Sequence, residues 1–129
     1  MPTIDEVRAL VHKGHGTRFD SPEWPLNRLW QEHLDARKEK YGTEFVSSAP
    51  KALTVENTSI VSEQWPLDDL SNLIVKDRTR PLRGDENAPV VMVRYQGRDC
   101  LVDGGRRITK WRHAKPPMGH EIWILEVIT

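Results

Sequence analysis

The sequence predicts an α+β fold in which N-terminal helices pack on a small sheet. Apolar residues recur at helical spacing through roughly the first forty positions, as in Ile4, Val7, Leu10 and Val11. The second half instead carries short apolar runs, APVVMV, DCLV and EIWILEV, at strand length. Between the last two runs lies a glycine pair followed by a helix-like segment, so strand, turn, helix and strand succeed one another.

Each element has a local reason. Thr3 opens a T-I-D-E capping box with Glu6, and the apolar spacing then predicts a helix over 4–13 that ends in a turn at His12 to Gly16. Ser21 and Pro22 read as a helix cap and a first-turn proline. A helix over 22–40 follows, with Leu26, Leu29, Trp30 and Leu34 facing inward, joined by Trp24 and His33; Gly42 stops it. Residues 47–51 read as a loop, 52–62 as β-like, and 73–75 and 89–95 as strands. Gln96-Gly97 forms a short hairpin turn into a return strand at 98–102. A helix over 105–114 stops at Pro116-Pro117, and 120–128 is the closing strand.

Composition sets the bounds. At 129 residues the chain is one domain's worth, 1–129, divided into a helical segment 1–50 and a core 52–129. Hydrophobic residues make up 37 % and charged residues 29 %, a balance that suits a globular protein in water. No apolar run approaches the roughly 18 residues that would span a membrane. The first residues carry acids and no apolar secretory core, so a cytoplasmic location is expected. The single cysteine, Cys100, has no partner for an internal disulfide. Five tryptophans, Trp24, Trp30, Trp65, Trp111 and Trp123, are expected mainly in the core.

The zero net charge hides an asymmetry. Residues 76–115 hold eleven Lys or Arg against five Asp or Glu, an excess of +6; the whole chain has 19 of each sign, so the remainder carries −6. A basic half beside an acidic half suits a phosphate-bearing ligand, and equally a basic face that pairs with the chain's own acids.

The densest chemistry lies in VDGGRR. Asp103 ends a strand, Gly104 and Gly105 allow close backbone approach, and Arg106 and Arg107 place two forked cations at the start of a helix. A helix start directs unpaired N–H groups outward, so the segment reads as an anion cradle. The plainer alternative is a tight turn, with Asp103 capping the helix. A second basic run, KDRTRPLR, offers Arg80 and Arg83 to the same anion. No P-loop, GxSxG elbow or zinc-type His/Cys spacing occurs, so no catalytic residue and no metal ligand is assigned.

The order WPLDDL, APVVMV, VDGGRR, helix and closing strand resembles the ParB/sulfiredoxin-like superfamily over about residues 60–128. The resemblance implies a small mixed sheet and a phosphate site at the glycine turn, with arginines from the segment before the APVVMV strand assisting. Gly105 stands where sulfiredoxins place their cysteine, so thiol chemistry of that kind is not expected. Asp103, Gly104, Gly105, Arg106, Arg107, Arg80 and Arg83 are the expected ligand-binding residues. The expected ligand is a nucleotide or another phosphate-bearing molecule, with magnesium as its candidate companion and phosphoryl chemistry left open. Two alternatives stand beside it: a DNA-binding or DNA-processing accessory protein of the ParB-like type, and a catalytically inactive interaction scaffold. A homo-oligomer is compatible with each, and no membrane partner is expected.

Overall fold

The computed structural model describes residues 2–15, 23–73, 88–114 and 120–128. Its architecture is α+β, with six helices and four strands among these residues. Helices α1 (Ile4–His15), α2 (Glu23–Ala36), α3 (Lys38–Tyr41) and α4 (Thr43–Ser48) precede strand β1 (Thr58–Trp65). Helix α5 (Leu67–Ser71), the hairpin β2 (Val90–Tyr95) and β3 (Arg98–Asp103), helix α6 (Gly105–Ala114) and β4 (His120–Val127) complete the order. The sheet runs β1-β4-β2-β3. It is mixed: β4 is antiparallel to β1 and parallel to β2, while β2 and β3 are antiparallel. The parallel pair requires a crossover, and α6 lies within it.

Strand alternation splits the core in two. Val91, Val93, Cys100 and Leu125 face the N-terminal helices, where Val7, Val11, Leu26 and Trp30 are fully buried. Val90, Met92, Ile122 and Ile124 face the other way, onto Leu70 of α5 and Ile108 and Trp111 of α6. β2 is buried on both faces, which explains why VVMV is a continuous apolar run rather than an alternating one. The Trp30 indole donates to the Pro50 carbonyl at 2.8 Å, so the largest fully buried side chain keeps its polar atom satisfied.

The capping box forms as Thr3 implies, with the Glu6 amide donating to Thr3 Oγ1 at 3.2 Å. Several boundaries differ from the sequence expectation. α1 continues through His15 instead of turning at His12. The expected helix over 22–40 breaks at Arg37, whose φ of −117° leaves the helical range, and α3 restarts at Lys38. That break brings the Tyr41 hydroxyl within 2.8 Å of His33 Nε2. Residues 43–48 then form α4, covering part of what reads as a loop. The β-like stretch over 52–62 begins as a strand only at Thr58. Asn57 is the reason: its side chain accepts from the Thr54 amide at 2.8 Å and donates to the Ala52 carbonyl at 2.9 Å. Those bonds supply locally what a ladder would otherwise supply. Of the strand expected at 73–75, Leu73 lies in the turn that closes α5. Positions 74 and 75, the cap at Ser21-Pro22 and the stop at Pro116-Pro117 lie outside the described residues. The hairpin turn falls at Gln96-Gly97, both with positive φ, 50° and 75°.

Candidate functional site: the turn between β3 and α6

The turn is shaped by a bulge and a glycine. Val91 pairs with Asp103 while Met92 pairs with Leu101, so β3 accommodates Val102 as an extra residue just before the turn. Such bulges re-aim the residue that follows. Gly104 then takes a φ of +122°, and a Cβ there would lie 2.8 Å from Val90 Cγ2. Glycine is therefore required twice over, by its conformation and by the close approach of β2. The Gly104 carbonyl accepts the first helical bond of α6, from the Ile108 amide at 3.0 Å. The amides of Gly105, Arg106 and Arg107 precede that first bond and belong to the helix start. Thr109 Oγ1 donates to the Gly105 carbonyl at 3.0 Å, adding a bond to the first turn.

The two arginines have different settings. Arg107 points inward: its Nη2 meets Asp103 Oδ2 at 2.9 Å, with side chains only 9 % and 14 % exposed. The pair locks the end of β3 to the first turn of α6 and neutralises the carboxylate nearest the helix start. Arg106 is half-buried, as is Gly105. Of the expected site residues, the structure thus brings Asp103, Gly104, Gly105, Arg106 and Arg107 together in one turn. Arg80 and Arg83 lie outside the described residues.

Other basic residues of the same half are engaged within the fold. Arg94 bonds Asp99 at 2.7 Å and reaches Glu63 and Glu126 at 3.2 and 3.4 Å. Hydrogen bonds from Trp65 and Arg94 hold the Glu63 carboxyl below its ordinary range. The Arg98 guanidinium stacks 4.6 Å from the centre of the Tyr41 ring. Arg112 Nη2 donates to the Ser71 carbonyl at 2.6 Å, tying the far end of α6 to α5.

Two groupings are assembled from residues distant in the sequence. The Trp111 ring stacks on His120 at 3.9 Å with an interplanar angle of 9°, joining α6 to the first residue of β4. Burial lowers the His120 pKa. On the opposite face, His33, Tyr41 and Cys100 meet from α2, α3 and β3. Burial, followed by the Arg37 charge, lowers His33 to about 4. Burial also pushes the Tyr41 hydroxyl and the Cys100 thiol up. All three groups are thereby held in their neutral forms, which makes the thiol a poor nucleophile. Helical spacing of His33 with Trp30 and Leu34 was the one available sequence signal for that cluster. The contribution of β3 comes from tertiary packing.

No family model matches this chain, and no curated protein or solved structure is significantly similar to it. No helix among the described residues is long and apolar enough to cross a membrane.

Proposed function

We propose that the β3–α6 turn binds the phosphate of a nucleotide or of another phosphate-bearing ligand. The observation that carries this reading is the buried Asp103–Arg107 pair at 2.9 Å. It fixes the start of α6 and cancels the carboxylate that would repel an anion there. The positive end of the ten-residue α6, with the amides of its first turn, then faces the anion's position. Arg106 adds charge-assisted bonds at the rim. Resemblance to the ParB/sulfiredoxin-like superfamily supports the same turn. Arg80 and Arg83 are the further arginines that the reading enlists. A single phosphate turn has more support than a long DNA-tracking face, because the basic residues of the same half outside the turn, Arg94, Arg98 and Arg112, are engaged inside the fold.

Calorimetric titration of wild type and Arg106→Ala with nucleoside mono-, di- and triphosphates, with and without magnesium, tests the proposal. Loss of one charge-assisted bond should weaken binding by roughly 1.5–3 kcal/mol, about ten- to a hundredfold. Equal affinity in the two proteins, or no binding by wild type, rejects the assignment. Salt-sensitive binding of long DNA without nucleotide binding would move the function to the DNA alternative.

A further inference from the structure

The two edges of the sheet are unlike. Edge strand β3 carries Arg98, Asp99 and Asp103 in six residues. Such charges blunt a strand edge against further pairing. Edge strand β1, TSIVSEQW, has eight residues with Glu63 as its one charge, no proline, and an unbroken register with β4. Among the described residues β4 is its one sheet neighbour. The two exposed large apolar side chains among those residues also lie at one end of β1. Val55 is 65 % exposed and stands three positions before the strand, and Ile128 is 58 % exposed.

The phase of the ladder shows which backbone groups point outward. The Ile128 amide donates to the Asn57 carbonyl at 2.8 Å, so these opposed residues form a hydrogen-bonded pair. Antiparallel pairs alternate between bonded and non-bonded. Ser59, Val61, Glu63 and Trp65 therefore bond to β4, and the N–H and C=O groups of Thr58, Ile60, Ser62 and Gln64 face away from the sheet.

We propose that β1 pairs antiparallel with β1 of a second copy of this chain, across a two-fold axis at Val61. The register follows from the outward groups. Centred on Val61, Ile60 meets Ser62 and Thr58 meets Gln64, so all four outward residues of each copy are paired, through roughly eight hydrogen bonds. Centred on Ser62 instead, Thr58 would meet Pro66, which has no N–H to give. The Val61 register also sets Glu63 opposite Ser59, so the two Glu63 carboxylates stay about 13 Å apart along the strands. Ile60 and Val61 keep their present faces, so both cores continue across the contact. The result is an eight-stranded sheet.

Light scattering coupled to size exclusion, over about 1 to 300 µM chain, measures the assembly. Wild type is expected to dimerise. Ser62→Pro removes an outward donor while leaving every backbone bond to β4, a setting in which an edge strand tolerates proline, and it gives up only the exposed side-chain bond from Ser62 Oγ to Glu121 at 3.0 Å. It should remain folded and raise the dimer dissociation constant at least roughly tenfold. Val61→Cys in a Cys100→Ser background should form an intermolecular disulfide under mild oxidation. Gln64→Cys in that background should not, because its two copies lie about 20 Å apart. A wild type that is monomeric throughout overturns the proposal, including in favour of an unrelated peptide on this edge. So does a dimer that persists in folded Ser62→Pro. Should Ser62→Pro fail to fold, the two cysteine variants decide: equal crosslinking, or none, overturns it.

Discussion

Acid should destabilise this protein through His33, whose pKa burial lowers to about 4. The imidazole is 7 % exposed, stacks on Trp30 at 6.1 Å between centroids and meets the Tyr41 hydroxyl at 2.8 Å. Burial comes first, then the positive charge of Arg37, in lowering its pKa from 6.5 to about 4; Lys40 adds to the effect and a backbone bond to Leu101 opposes it. The charges that act on it are cationic, Arg37 and Lys40, and the neighbouring Tyr41 and Cys100 are both held protonated. A folded-state pKa below the unfolded one means that the unfolded chain binds the proton more tightly. Stability is therefore full above about pH 6.5 and falls as the pH drops toward 4. The shift corresponds to roughly 3 kcal/mol over that whole window, of which about 2 kcal/mol is lost by pH 5. Urea unfolding of wild type near pH 7.5 and near pH 5 measures the loss directly. His33→Gln keeps a group that can bond Tyr41 but does not titrate, so most of the pH dependence should vanish in it. His120, whose pKa is also lowered by burial, supplies a smaller residual slope of the same sign. An unchanged slope in folded His33→Gln would refute the reasoning and assign the acid sensitivity elsewhere.

Two further substitutions probe the turn itself. Gly104→Ala places a Cβ 2.8 Å from Val90 at a φ of +122°, and chemical denaturation should show a loss of at least about 2 kcal/mol; an effect below about 0.5 kcal/mol would show that β2 yields easily there. Asp103→Ala leaves the Arg107 cation buried without its carboxylate and should cost about 3 kcal/mol, whereas Asp103→Leu combined with Arg107→Met should recover much of that loss; a single variant as stable as wild type would mean that the pair does not lock the turn.

The local elements were legible because their signals are local. Short apolar runs mark β2, β3 and β4, the glycine pair before a helix-like segment marks α6, and the capping box marks the start of α1, since each depends on residues a few positions apart. The late start of β1 and the break at Arg37 were not legible. Asn57 replaces ladder bonds with side-chain bonds that a hydrophobic pattern does not record. The break at Arg37 lies beside contacts made to another strand, among them Arg98 stacked on Tyr41. For the candidate site, sequence alone determined its residue types and order: Asp103, two glycines, two arginines and a helix. Tertiary structure decided their roles. Gly104 is required because Val90 of a neighbouring strand fills the space of its Cβ, and Arg107 is turned inward because Asp103 offers a partner in a nearly dry setting. Both outcomes depend on what stands opposite in space, and adjacency along the chain does not specify that.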